Sequence, residues 1–277
     1  MKRIVTFLVL VALGNVCRGD IIDLQDNPGA LPAGKPSTVQ VGVAASVNGH
    51  LQNISVTLDP VELDTTLNLV TYAQLAPVQM SWPGVEGETM TLNNLSTRLD
   101  PTGSFAVSTT DFGSPSVFTA SFTFPIFSPT LFGPVSFSGS VSGSATDGTG
   151  VPNGVSYAPT GVNPGVFQYQ LLDTTAAPVA TFYQDPGASF AAGPPNSHTT
   201  GPFDNSGSPV IVSAGPNGVG TVVVNESFTG SGGSDQYAFT GRWDVNPVPE
   251  PNTMVLAGLG VAGLGVLARK RRVRCTR

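Results

Sequence analysis

The sequence predicts an all-β body, built as an antiparallel β-sandwich or a jelly roll, on three observations. Apolar and polar residues alternate with a period of two, as they do from Val117 to Phe124. No soluble segment has a sustained apolar repeat of 3.6 residues, the pattern of an amphipathic helix. Gly and Pro number 33 and 24 among the 277 residues, and turn signals such as Asn48-Gly49 separate the alternating runs.

Twelve segments have the alternation of half-buried strands. In chain order they are Val39–Val47, Ile54–Leu58, Leu67–Tyr72, Thr89–Leu95, Phe105–Thr109, Val117–Phe124, Val135–Ser144, Val166–Leu172, Val179–Tyr183, Val210–Ser213, Thr221–Phe228 and Gln236–Val245. The segments 143–164 and 185–209 are rich in Gly, Pro, Ser and Asn, so we expect long mobile loops there, or the flanks of a second small subdomain. We favour one domain.

Charge is distributed unevenly along the chain. The net charge is −6, but most of the basic residues lie at the two ends, and only Lys35, Arg98 and Arg242 lie between them. All 18 acidic residues fall between Asp20 and Glu250, which leaves the central segment strongly anionic. Such a surface repels phosphate backbones, so we expect no nucleic-acid partner.

The amino terminus has the three-part layout of a secretory signal peptide, which we assign to residues 1–19. Lys2 and Arg3 precede an apolar run from Ile4 to Leu13, and small and polar residues follow. Cleavage after Gly14 and cleavage after Gly19 both fit the preference for small residues. The layout predicts that residues 20–247 are exported as the working body.

Both cysteines lie outside this body, Cys17 in the signal segment and Cys275 in the basic tail. The body therefore has no disulfide to stabilise it outside the cell. Its length is sufficient for a sizeable apolar core, on which we expect its stability to depend.

The carboxyl terminus, residues 248–277, has three successive parts. The segment Val248-Pro249-Glu250-Pro251 comes first, and an apolar helix, residues 253–268, is predicted to follow it. A basic tail, residues 269–277, contains Arg269, Lys270, Arg271, Arg272 and Arg274. The apolar stretch from Met254 to Ala268 reaches about 22 Å as a helix, against a hydrocarbon core of about 30 Å. This is enough for a weak anchor where the bilayer thins. The basic tail fixes this end in the cytoplasm, so the body lies outside.

This ending resembles the PEP-CTERM sorting domain, with the match running from Val248 to Arg274. The resemblance implies that Pro249, Glu250 and Pro251 are recognised by an exosortase, a membrane protease of Gram-negative bacteria that often accompanies exopolysaccharide genes. It also implies transient anchoring in the inner membrane, followed by delivery to the cell surface or the medium. The resemblance covers a tenth of the chain and identifies an address, whereas the body resembles no family that we can name.

Few residues of the body indicate chemistry. The two histidines, His50 and His198, are not in a metal-spaced cluster, and no nucleophile elbow, zinc-binding helix or phosphate loop is present in the body. We expect no catalytic residue and no cofactor. Oxygen-rich segments around Asp59, Glu62 and Asp64, and around Asp23 and Asp26, leave calcium as an alternative to solvated turns.

Five aromatic side chains are candidate stacking platforms for sugars: Trp82, Trp243, Tyr72, Tyr157 and Tyr183. Trp82 is the preferred glycan contact because it precedes a Pro83-Gly84 turn. Trp243 alternates with other aromatic residues and is predicted to lie in the core.

We therefore predict an exported bacterial protein of the cell surface or extracellular matrix, of non-enzymatic, structural or adhesive type. The alternatives are a secreted carbohydrate-binding module and a glycan-acting hydrolase with a carboxyl pair. Ice binding is disfavoured, because Thr pairs such as Thr109-Thr110 and Thr199-Thr200 follow no period. Exopolysaccharide is the predicted partner beyond the exosortase.

Overall fold

The computed structural model describes residues 21–98, 101–126, 131–148, 154–160, 165–184, 190–192, 197–199, 203–204 and 209–248. Its strands are β1 (Ile21–Asp23), β2 (Val39–Val47), β3 (His50–Asp64), β4 (Leu69–Ala73), β5 (Val78–Trp82), β6 (Glu88–Arg98), β7 (Thr102–Asp111), β8 (Val117–Pro125), β9 (Pro134–Thr146), β10 (Val155–Pro159), β11 (Phe167–Leu172), β12 (Pro178–Gln184), β13 (Phe190–Ala192), β14 (Ser197–Thr199), β15 (Phe203–Asp204), β16 (Val210–Ser213), β17 (Thr221–Thr229) and β18 (Asp235–Pro247). The only helical element in these ranges is a 3-10 turn, Pro28–Ala30.

The strands pair antiparallel and join into one sheet that forms a nearly closed, barrel-like body. We divide it into two layers. Layer 1 runs from β1 through the end of β3, β4, β6, β7 and β18 to β9, with β5 beside β6 and β14, β15 and β16 along β9. Layer 2 runs from the start of β3 through β2, β8, β17 and β11 to β12. Strand β3 passes between the layers at a register shift between Pro60 and Glu62.

Alternation along each strand decides which side chains enter the body. In β7 and β9, every second residue is buried and every other one is partly exposed. The Asn48-Gly49 turn between β2 and β3 has φ values of 48° and 84°, the left-handed pair that a two-residue hairpin turn requires. The predicted turn at this position is therefore confirmed.

The core between the layers is aromatic. Phe105 of layer 1 stacks on Phe122 of layer 2 with ring centroids 5.6 Å apart, and it contacts Phe167 at the same distance. Trp243 lies against Gly103 of the neighbouring strand, where an added Cβ would come within 2.4 Å of the indole. The expected core position of Trp243 is confirmed by an exposure of 1%.

All twelve predicted strands are present, most of them one to several residues longer than the sequence pattern. The all-β prediction is confirmed. The pattern missed β1, β5, β10 and the short strands β13, β14 and β15. The segments 143–164 and 185–209, expected as loops, contain the end of β9, β10 and these three short strands among their described residues.

Residues 1–20 and 249–277 lie outside the described ranges. These include the predicted signal peptide, Pro249, Glu250 and Pro251, the apolar helix and the basic tail. Within the described part of the chain, no helix has the length and apolar character to cross a membrane.

Candidate functional site

The prediction that Trp82 is an exposed glycan contact is wrong, because its side chain is buried. The side chain is 3% exposed, and its indole N–H donates to the His50 carbonyl oxygen at 2.7 Å. Met80 and Trp82 lie two residues apart on β5, so their side chains share one face of the strand, and both point inward. Trp82 is the last residue of β5, and the turn begins at Pro83. The ring therefore keeps the inward direction of its strand position.

Tyr183 is the candidate platform that reaches solvent. Of the five aromatics considered, Tyr72, Tyr157, Trp82 and Trp243 are buried, whereas Tyr183 is 45% exposed. Its neighbour on β12, Phe182, points inward and stacks on Phe137 at 4.5 Å. This inward stacking positions the ring of Tyr183 on the outer face of layer 2.

A polar track leads away from Tyr183 across layer 2. The amide of Gln168 donates to the Tyr183 hydroxyl at 3.1 Å, and its carbonyl oxygen accepts from the amide of Asn225 at 2.9 Å. The three residues are register partners on β12, β11 and β17. The same row continues through Ser121, Ala44 and Asn53. Gln168 is only 9% exposed, so the Tyr183 hydroxyl is held by the amide of a nearly buried side chain.

The outer face of layer 2 is neutral around this track. The outward residues of β2, β8, β17 and β11, and those of β3 that pair with β2, carry hydroxyls, amides and apolar groups, including the exposed Leu51, and none is charged. Ser46 and Thr119 are bonded at 2.8 Å, and Gln40 donates to Thr57 at 2.9 Å. Such a surface can form hydrogen bonds without the cost of stripping water from an ion.

Layer 1 presents a different outer face, on which hydroxyl groups form rows across four strands. One row contains Ser96, Ser104, Arg242 and Ser140, and its neighbour contains Arg98, Thr102, Asp244 and Ser138. Ser or Thr occupies most positions of these and the adjacent rows. The threonines and serines that seemed scattered along the sequence thus align in space, although charged side chains interrupt them.

A cluster of carboxyl groups lies at one end of the body. Glu88 begins β6, Asp111 ends β7 and Asp235 begins β18, and all three are fully buried. Glu88 accepts the Phe112 N–H at 2.9 and 3.1 Å. Asp111 accepts the N–H of Gly232 at 2.8 Å.

Asp235 connects the cluster to two further loops. It accepts the Gly148 N–H at 3.1 Å and the Ser231 hydroxyl at 2.5 Å. Ser231 in turn bonds the hydroxyl of Tyr237 at 2.9 Å. The carboxyl groups therefore hold the loop backbones at this end of the body.

Burial raises the pKa of Glu88 to about 7, and the nearby charge of Asp111 adds to the increase. The pKa of Asp111 is also raised by burial, although the N–H groups of Gly232 and Ser116 oppose the change. The contact between the two carboxyls raises the pKa of Glu88 and lowers that of Asp111, so Glu88 takes up a proton more readily than Asp111 does. A protonated acid beside an ionised carboxylate is the pairing that glycosidases use. Here neither group is exposed, so the pair cannot reach a glycosidic bond in this conformation.

Glu226 is a second buried acid without a partner. It lies on β17 between Ala120 and Phe167, is 1% exposed, and neither carboxyl oxygen has a hydrogen bond within the described structure. Burial raises its pKa to about 8, so it is protonated at neutral pH. Glu226 lies in phase with Val222, Val224 and Phe228 on β17, so the alternation of this strand places it inward.

Metal-ligand geometry is absent from the described residues, where no three His, Cys, Asp or Glu side chains converge to hold an ion. His50 is an exposed strand residue, and the side chain of His198 lies outside the described set. Asp64 accepts the N–H groups of Thr66 and Leu67, and Asp23 accepts that of Gln25. Calcium binding at these segments stays a prediction from the sequence.

Together these features define a β-structured body with polar faces and no exposed catalytic constellation among the described residues. The chain carries a PEP-CTERM protein-sorting motif at residues 247–272, as the sequence resemblance implied. This motif indicates export, a membrane-anchored sorting signal at the carboxyl terminus, and processing by an exosortase, a membrane protease. Val248, the one described residue of the four-residue motif, donates its N–H to the Pro134 oxygen at 2.9 Å.

Similarity elsewhere is weak. No curated protein sequence matches the chain. Among solved structures, the enzymatically active domain of bacteriophage CBA120 tailspike protein 4 has 13% identity and a TM-score of 0.24, over 62% of this chain and 19% of the tailspike chain. The K1 cleaved adhesin domain of Lys-gingipain from Porphyromonas gingivalis has 10% identity and a TM-score of 0.22, over 65% and 99%. The family 11 carbohydrate-binding module of Clostridium thermocellum has 6% identity and a TM-score of 0.17, over 66% and 90%.

Proposed function

We propose that this is a non-enzymatic protein of the bacterial cell surface or extracellular matrix, whose sandwich-like body binds a neutral polysaccharide through the outer face of layer 2. The observation that carries the proposal is the exposed ring of Tyr183, held by Gln168 at the edge of an uncharged polar face. Aromatic faces stack on sugar rings, and amide and hydroxyl groups bond to sugar hydroxyls.

Delivery follows from the two ends of the chain. A signal peptide over residues 1–19 starts export, and the apolar helix over residues 253–268 halts the chain with Arg269 to Arg274 in the cytoplasm. Exosortase processing near Pro249 to Pro251 then releases or transfers the body. Strand β18 ends at Pro247, so little chain separates the body from the motif.

The sorting step is tested by replacing Glu250 and both flanking prolines together. Export continues because the signal peptide is intact, and the protein accumulates in the inner membrane with its carboxyl terminus retained. Intact mass of the membrane, surface and medium fractions measures this. Unchanged delivery of the variant to the surface contradicts a role for the motif.

The binding step is tested with neutral polysaccharides, dextran and hydroxyethyl cellulose, and the full-length protein in mild detergent. We expect Tyr183→Ala to weaken binding by about tenfold, since stacking on an aromatic ring contributes on the order of 1 kcal/mol or more. Phe132→Ala is the matched control, because Phe132 is 61% exposed and lies on a loop away from the track. Equal affinity of both variants and the wild type, or no binding by the wild type, contradicts the proposal.

The hydrolase alternative needs an accessible carboxyl pair, whereas the pair Glu88 and Asp111 is fully buried. The rows of hydroxyls on layer 1 are interrupted by Arg98, Arg242 and Asp244, so they do not form the regular Thr array of the ice-binding alternative. Neither alternative is favoured over polysaccharide binding.

A further inference from the structure

A shallow groove lies on the outer face of layer 1, where β9 and β18 run side by side. Its volume is about 200 Å³, and it is lined by Ser140, Val141, Ser142, Thr240, Gly241 and Arg242. The hydroxyls of Ser142 and Thr240 bond to each other at 2.8 Å across the two strands. One of these hydroxyls donates and the other accepts, so the accepting hydroxyl keeps its own proton to donate and both oxygens keep a lone pair to accept a further hydrogen bond.

Arg242 is exposed, and its guanidinium has no hydrogen bond or ion pair with any described residue. Its register partners are Ser104 on one side and Ser140 on the other. An arginine between two serines has no neighbouring acid on those two strands to neutralise it. Asp244 lies one row further along β18, and Asp204 on β15 is the register partner of Ser140, with its side chain outside the described set.

Arg242 is one of few cations in the body. Lys35, Arg98 and Arg242 are the only cations between the signal segment and the basic tail, and two of the three belong to adjacent rows of layer 1. The opposite face, around Tyr183, has none. The row of Arg98 also contains Asp23, Glu62 and Asp244, so the complementary charge for an anionic ligand on layer 1 is local to Arg242.

The groove continues along β9 as a ladder of serines, at positions 136, 138, 140, 142 and 144, all on the outer side of the strand. Successive same-face residues of a strand are about 6.8 Å apart, so the ladder presents hydroxyls at regular intervals over about 27 Å. A small anion would use only the guanidinium. A linear, hydroxyl-rich polymer would use both the guanidinium and the ladder.

We propose that this groove binds the carboxylate of a uronic acid within an acidic polysaccharide that lies along β9. The planar guanidinium of Arg242 takes the carboxylate in a two-pronged contact, and Ser140, Ser142 and Thr240 bond the hydroxyls of adjoining sugars. The site goes beyond the proposed function, since it is on the other layer and takes a charged chain.

The test measures binding of polygalacturonate, dextran sulfate and dextran to the full-length protein in mild detergent. We expect Arg242→Gln to weaken polygalacturonate binding about tenfold or more, because it removes charge-assisted hydrogen bonds. Lys35→Gln is the matched control, as it removes the same charge from another part of the body. Wild-type binding should fall as salt rises.

Several outcomes would overturn the site. They are the absence of polygalacturonate binding and an equal loss of affinity from Arg242→Gln and Lys35→Gln. Preference for dextran sulfate over polygalacturonate rejects the carboxylate as the ligand. Tyr183→Ala should leave polygalacturonate binding intact, so failure of the layer 2 proposal is seen separately, in the dextran measurements.

Discussion

Glu88 and Asp111 are both fully buried at the end of the body where β6 begins and β7 ends, and the charge of Asp111 adds to the burial that raises the pKa of Glu88. The two acids also hold the loops around them, since Glu88 bonds the N–H of Phe112 and Asp111 bonds that of Gly232. Together with Glu226, they make stability depend on protonation.

The body should be more stable at pH 5 than at pH 8.5. The folded pKa of Glu88 is about 7 and that of Glu226 about 8, above the ordinary value of 4.5. The folded state therefore binds protons that the unfolded state releases, and stability falls as pH rises from about 4.5 through these values. Urea unfolding at several pH values measures this dependence. If the free energy of unfolding rose from pH 5 to pH 8.5, the raised pKa values of Glu88 and Glu226 would be contradicted.

Replacing Glu226 by Met should stabilise the body at neutral pH by about 1 to 3 kcal/mol. The carboxyl lies in the apolar core without a hydrogen bond, and an unpartnered buried polar group costs on that order. Met has a similar volume and no polar group to desolvate. The variant should also lose part of the pH dependence above, which a purely steric gain would leave unchanged. Thermal unfolding at pH 5 and 8.5 provides both readings.

Asp111→Ala should loosen the loop around Gly232 and destabilise the body by about 2 to 4 kcal/mol. The change leaves the N–H groups of Gly232 and Ser116 without their acceptor in a buried site. Hydrogen exchange at the Gly232 amide is the local readout. Asp23→Ala is the control, since Asp23 is exposed and accepts one local N–H. Unchanged exchange in the Asp111 variant would show that the carboxylate does not hold the loop.

Gly103→Ala should be strongly destabilising, whereas Gly42→Ala should change stability by less than about 0.5 kcal/mol. Both glycines lie in strands at ordinary φ, but a Cβ at Gly103 meets the Trp243 ring at 2.4 Å. At Gly42 the nearest atom is Thr123 Cβ at 3.8 Å, an ordinary contact. Equal melting temperatures for the two variants would mean that the indole can move aside at little cost.

The sequence by itself determined the all-β class, twelve of the strands and the sorting address. A period of two is a local property of the chain, so alternation identified twelve strands and placed Trp243 inside. The sorting motif is likewise a contiguous signal, which needs no fold to be identified.

Tertiary pairing alone decided which side chains share a surface. Arg242 lies beside Ser104 and Ser140, more than 100 positions away along the chain, only because β18 pairs with both β7 and β9. The same holds for Tyr183 and Asn225, which Gln168 joins across three strands. The local pattern also could not show that Trp82 is buried and Tyr183 exposed, since exposure depends on what packs over each face of the sheet. Register between distant strands is set by the whole core, and no short stretch of sequence contains it.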